Sequence, residues 1–232
     1  SDKAEMLCRL KEAVRQSRYP SSLYSSVEDL AQQVERAFIS LLDQLFPKGD
    51  MTEHQKERLI QQSFISKLSS TYIKDIDYFK QLDEFATDSS SHYLVVTGES
   101  GLGKSSLLAN WAKERQNDGR FHVIPYFSSN GGQQLQIQIL RYISDEVCEM
   151  FNLELPQGSE EEKLQKLFDS LTVSCEKVVI VFDAINQIAD IEQSKMLNWL
   201  PIPPANVKYI FSTLEEDSTM QVFLNRSYPV FR

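Results

Sequence analysis

His92-Tyr93-Leu94-Val95-Val96-Thr97-Gly98-Glu99-Ser100-Gly101-Leu102-Gly103-Lys104-Ser105 decides how the rest of the chain is read. An apolar run of strand character enters a glycine loop of the form G-x-x-x-x-G-K-[ST], and residues of helical period follow. Gly98, Gly101 and Gly103 let the backbone curl so that successive N–H groups point at phosphate oxygens. The stretch therefore assigns Gly98, Glu99, Ser100, Gly101, Leu102, Gly103, Lys104, Ser105 and Ser106 to nucleotide binding. Lys104 sets a full positive charge beside the β- and γ-phosphates, and the Ser105 hydroxyl is a ligand for Mg²⁺. The helix that begins here adds the positive end of its dipole.

Outward from the loop, strand and helix alternate. The strand 92–97 leads to a helix from Lys104 to about Gln116, closed by Asn117-Asp118-Gly119. Phe121 to Phe127 reads as a strand, Gln133 to Phe151 as a helix broken by Pro156-Gln157-Gly158, and Glu160 to Leu171 as another helix. Val178-Val179-Ile180-Val181-Phe182 is a continuous apolar run, which suits a strand buried on both faces. A helix is predicted near Ile191 to Leu200, a fourth strand at Val207 to Ser212 and the start of a fifth at Tyr228-Pro229-Val230-Phe231. The class is α/β: an open, mostly parallel sheet covered by helices on both faces, with its ligand at the carboxyl ends of the strands.

Upstream, residues 1–88 read as a helical prefix and 89–232 as the nucleotide-binding domain. Met6, Leu7, Leu10 and Val14 fall at helical spacing, as do Val27, Leu30, Val34, Phe38, Leu41, Leu42 and Leu45. Ser25 or Ser26 is the expected N-cap of the second helix, and Pro47 with Gly49 its stop. A third helix, Thr52 to Leu68, sets Leu59, Ile60, Phe64 and Leu68 on one side, and a short fourth covers Tyr78 to Phe85.

The chain of 232 residues is 41% hydrophobic and 25% charged, enough for a substantial core. A formal net charge of −9 argues against a nucleic-acid surface, which must offset phosphate charge. The three cysteines form no C-x-x-C pair and read as reduced thiols, and the three histidines have no metal-ligand spacing. No apolar run approaches membrane-spanning length and the start is not a signal peptide, so a soluble, cytoplasmic protein is expected.

A phosphate loop needs an acid for magnesium at the end of an apolar strand, and Asp183 is the candidate, with Ser105 as its partner ligand. The next residues, Ala184-Ile185-Asn186-Gln187, carry amides where a catalytic carboxylate would be expected. Asn186 or Gln187 can position a water, but neither is a base near neutral pH. Ser212-Thr213 offer hydroxyls to sense the γ-phosphate, a role that ordinary strand-end polarity explains equally well. Leu214-Glu215-Glu216 follow, with no arginine to stabilise transition-state charge. The pattern reads as a site that binds well and cleaves slowly.

The loop alone looks like that of septin GTPases, but Asp183-Ala184-Ile185-Asn186 lacks a switch glycine and no Asn-Lys-x-Asp or Ala-Lys-Ala-Asp guanine reader occurs. A broader match rests on Tyr24 to Leu30, Leu45-Phe46-Pro47, Tyr72-Ile73, Leu82 to Phe85, the loop with Leu107 to Trp111, Pro125-Tyr126-Phe127, Ile139 to Ile143, Asp183 to Gln187, Trp199-Leu200-Pro201 and Val207 to Leu214. In this order they resemble the NACHT-type ATPase module of the signal-transducing (STAND) NTPases, such as nephrocystin-3, the telomerase-associated protein and tetratricopeptide-repeat NTPases. That resemblance implies ATP or ADP as ligand and a regulatory switch inside a multidomain scaffold. Protein partners or self-assembly would then act through further domains. It also implies that Tyr72 and Ile73 lie where adenine and ribose bind, although Lys74-Asp75-Ile76 replaces the Gly-Arg-Glu of many relatives. By the same comparison the chain reads as an excised or shortened form. The expected function is a Mg-ATP/ADP switch with slow or absent hydrolysis; a competent ATPase needing a partner and a scaffold with a relic site are the alternatives.

Overall fold

A computed structural model describes residues 2–15, 24–45, 51–70, 72–87, 90–116, 118–128, 136–174, 176–188 and 197–231. The chain divides into two compact units, Ser1–Met51 and Thr52–Arg232. The first holds helices α1 (Asp2–Arg15) and α2 (Val27–Leu45). Of the two expected caps, Ser26 performs the role for α2: its Oγ accepts the Asp29 N–H at 3.1 Å, while the Asp29 carboxylate accepts the Ser25 N–H at 2.8 Å. Pro47 and Gly49 lie outside the described residues.

The second unit runs α3 (Glu53–Ser69), α4 (Ile76–Thr87), β1 (Tyr93–Val96), α5 (Lys104–Arg115), β2 (His122–Phe127), α6 (Gln136–Phe151), α7 (Glu160–Ser174), β3 (Val178–Asp183), β4 (Val207–Ser212), α8 (Ser218–Asn225) and β5 (Val230–Phe231). Helices α3 and α4, which helical period alone groups with the prefix, belong to the same compact unit as the sheet. The strand order is β2-β3-β4-β1-β5, and every pairing among the described strands is parallel. The predicted α/β fold, a parallel sheet covered on both faces, is the fold observed. Val178, Ile180 and Phe182 enter one apolar cluster with α6, α7 and α8; Val179 and Val181 enter another with α3, α4 and α5. Two covered faces account for the unbroken apolar run of β3.

Helix α3 is rotated from the expected apolar stripe. Leu59 and Ile60 are exposed, and burial centres on Gln61 and Ile65, with Phe64 and Leu68 partly covered. The reason is a polar one. Strand β2 is one edge of the sheet, and the Phe127 backbone needs partners away from β3. The Gln61 side-chain amide supplies both: Phe127 N–H donates to Oε1 at 2.8 Å, and Nε2 donates to Phe127 O at 3.3 Å. An amide has the donor and acceptor of a peptide group, so it can end a sheet as a neighbouring strand would.

Two further differences concern the C-terminal third. The helix expected at Ile191 to Leu200 falls largely on 189–196, outside the described residues, and Leu197–Trp199 form a turn with Leu197 at φ 56°. Helix α8 was not expected from the sequence; Asp217 caps it by accepting the Thr219 N–H at 2.8 Å, and Met220 and Phe223 are buried.

Helix α4 is tied to α5 through Asp83, which accepts from Trp111 Nε1 at 2.8 Å and from Arg115 Nε and Nη2, both at 2.7 Å. Burial works to raise the Asp83 carboxyl, but these bonds and the Arg115 charge outweigh it and hold it below the usual carboxylate range. A depressed folded pKa gives stability that is present above the unfolded pKa of about 3.9 and lost as pH falls through the folded value. Asp83→Asn is therefore expected to cost about 1.5–3 kcal/mol at neutral pH. In urea unfolding, its gap from wild type should narrow below about pH 4; a gap constant with pH would refute the ionic tie.

Candidate functional site

Strand β1 ends beneath the loop, and the loop's geometry follows from its glycines. Gly101 (φ 86°) and Gly103 (φ 88°) are left-handed, and a Cβ at either would meet no atom within 4 Å. Conformation, not space, is what demands glycine there. Gly103 opens α5, so the first free N–H groups of that helix face the loop. Lys104 folds back across the loop, Nζ donating to Gly98 O at 2.9 Å and Glu99 O at 2.8 Å. Burial lowers its pKa, and the negative charge of Asp183 works against that.

A cleft of about 280 Å³ opens on this edge of the sheet, close to the lower size of small-ligand pockets. Its walls are Ser100, Gly101, Gly103, Lys104, Ser105 and Ser106 from the loop and α5, and Ala184, Asn186 and Gln187 from the turn after β3. Ser212, Thr213 and Leu214 from the end of β4 complete it. Glu99 and Leu102 are exposed on the loop, and Gly98 forms its base. Asn186 and Gln187 reach the cleft because Ala184 takes a left-handed conformation (φ 52°, ψ 47°) that swings the chain into one 3₁₀ turn, Ile185–Gln187. Among the described residues that line it, none is a carboxylate or an arginine.

Asp183 stands directly behind this wall, fully buried at the end of β3. Burial pushes its carboxyl up, while the hydroxyls of Ser105 and Ser212 and the Lys104 charge pull it down. Oδ1 accepts from Ser212 Oγ at 2.5 Å, and Oδ2 is buried with no hydrogen-bond partner among the described residues. A buried carboxylate oxygen left without a donor, beside the Ser105 hydroxyl, fits a hard, oxygen-ligated cation such as magnesium. The Thr213 Oγ1 is likewise buried and without a partner at the cleft wall.

The structure thus gathers the loop, Asp183, Asn186 and Thr213 in one place. Tyr72 and Ile73 lie elsewhere. Tyr72 stacks on Phe79 with ring centroids 6.3 Å apart, and Ile73 is 90% exposed. Their segment is tied to the last turn of α5 by Lys74–Glu114 at 2.5 Å, whereas the loop sits at the first turn. Neither residue lines the cleft. Sequence reasoning also missed how Ser212 is used. The signal lay in strand order, since it is β4, not the chain's neighbouring strand β2, that separates β1 from β3.

The chain is 24% identical to a TPR repeat-containing protein of Dictyostelium discoideum, over 96% of this chain and 18% of that one. It is 23% identical to tetratricopeptide repeat protein 41 of Mus musculus, over 89% and 20% respectively. The chain thus spans about a fifth of the length of these curated relatives. Among solved structures, Cdc6p from Pyrobaculum aerophilum is similar at 15% identity and a TM-score of 0.47, covering 72% of this chain and 48% of that one. The ORC2 protein of Aeropyrum pernix is similar at 12% identity and a TM-score of 0.46, covering 68% and 46%. The family model described as AAA domain matches residues 87–224, more than half of the chain and all of the glycine loop, and the chain therefore belongs to this family of P-loop NTPases.

Proposed function

We propose that this module is a Mg-ATP/ADP-binding regulatory switch of the STAND type, NACHT-like in its nucleotide domain, with slow or absent hydrolysis of its own. One observation carries the reading. The cleft has a full set of groups for holding phosphate, Lys104 and the loop, but among the described residues its other walls are amides, hydroxyls and the aliphatic Ala184 and Leu214. Ser105 and Asp183 would hold magnesium, which when bound neutralises phosphate charge. Asn186 can orient a water through its amide but cannot take its proton near neutral pH. Thr213 brings a hydroxyl free to meet a phosphate oxygen. A site of this composition retains its nucleotide longer than it processes it.

The relatives named for tetratricopeptide repeats, several times longer than this chain, support a place inside a larger protein that engages protein partners or copies of itself. The negative charge speaks against nucleic acid as the partner. No helix among the described residues is long and apolar enough to cross a membrane.

The test is to purify the chain natively, denature it and identify the released nucleotide by HPLC and mass spectrometry. ADP or ATP in near-stoichiometric amount is the expected result. Because the sequence has no Asn-Lys-x-Asp or Ala-Lys-Ala-Asp guanine reader, ATP and ADP should also bind more tightly than their guanine counterparts in titration. A GTP affinity about tenfold above that for ATP, some 1.4 kcal/mol, would sink the adenine assignment.

A further inference from the structure

We infer that Ser212 is a positioning residue for metal-dependent triphosphate binding, a single hydroxyl that both orients Asp183 and fixes the turn carrying Asn186 into the cleft. The inference rests on the nucleotide reading above. Strand β4 lies between β1 and β3, and the register Phe182↔Phe211 brings Ser212 level with Asp183, 29 residues away in sequence. Ser212 is 1% exposed. Its Oγ accepts the Ala184 N–H at 2.8 Å and donates to Asp183 Oδ1 at 2.5 Å.

The directions of these bonds matter. A backbone N–H can only donate, so the hydroxyl accepts from Ala184 and its single proton goes to Asp183. That proton cannot also reach a phosphate oxygen, which leaves Thr213, with its buried and unengaged Oγ1, as the hydroxyl of this pair able to touch the ligand. With Oδ1 held, the carboxylate cannot rotate freely, and Oδ2 stays the oxygen available to a cation. The second bond holds a residue that is costly to hold. Left-handed alanine is strained by its Cβ, and Ala184 is kept there by the Ser212 bond and by Gln187 N–H donating to its carbonyl at 2.8 Å. Removing one hydroxyl therefore loosens the carboxylate and the Asn186 turn together.

The experiment measures ATP affinity in magnesium chloride and in EDTA, with ADP in EDTA as a reference, for wild type, Ser212→Ala, Ser212→Cys and Ser212→Thr. Wild type is expected to bind ATP more tightly with magnesium. In Ser212→Ala that gain should shrink about tenfold to a hundredfold, the loss of a hydrogen bond to a charged group, while ADP binding in EDTA stays near wild type. Ser212→Cys keeps the volume with a weak donor and should show the same loss even if the alanine variant folds poorly. Ser212→Thr restores a hydroxyl and should recover the gain. An equal fall in all affinities would mark a merely structural role and overturn the inference. So would a magnesium gain that survives in both Ser212→Ala and Ser212→Cys. A wild type that binds ATP without any magnesium effect would instead overturn the metal reading beneath it.

Discussion

Lys104→Ala is expected to lose most of the chain's affinity for ATP and ADP. The ammonium is half-buried over the loop, held by the carbonyls of Gly98 and Glu99, with Asp183 close enough to feel its charge. Against phosphate it would be a charge-assisted partner in a partly desolvated cleft. Truncating one member of such a pair costs about 2–5 kcal/mol, roughly 30-fold to several thousand-fold in affinity. The same substitution removes the two bonds that draw the loop together, so both effects point the same way. Calorimetric titration with a thermal melt as control provides the measurement. Unchanged binding in a folded Lys104→Ala protein would mean that the loop does not hold phosphate.

The second large effect concerns turnover. Single-turnover assays with radiolabelled ATP should give hydrolysis by the wild type well below about 1 s⁻¹, the low end for ordinary enzymes. General-base assistance is worth about 10²–10⁴-fold and an arginine finger about 10³–10⁵-fold. Among the described residues the cleft walls supply neither, being Asn186, Gln187, Thr213 and Leu214 where such groups would stand. Asp183 is no substitute base, since Ser212 engages Oδ1 and Oδ2 is the oxygen that would face the magnesium ion. Asp183→Ala should abolish the magnesium dependence of ATP binding, and Asn186→Asp should raise the rate if its carboxylate reaches the water. Turnover of several per second that disappears in Asn186→Ala would make the amide catalytic and overturn the switch reading.

Much of this was legible in the chain itself, for reasons that are local. The phosphate loop is contiguous, and its demands fall on neighbouring residues: left-handed backbone at Gly101 and Gly103, a cation and a hydroxyl at the start of a helix. The apolar run at Val178–Phe182 announces a doubly covered strand because burial on two faces removes alternation. Asp183 and Asn186 follow from where that run ends.

What the tertiary structure decided is everything that depends on which elements become neighbours. Strand order placed β4 against β3, and only then does Ser212 meet Asp183 and Ala184. The edge position of β2 turned α3 so that polar Gln61 is buried and Leu59 and Ile60 are left outside, against the apolar stripe that helical period predicts. Packing on Phe79 carried Tyr72 away from the cleft, although its sequence context resembles a base-binding segment. Periodicity reports how much of a helix or strand must be covered, because hydrophobic burial is non-directional. It cannot report what does the covering, because that is settled by hydrogen bonds between groups far apart in the chain, each of which must find its partner when buried.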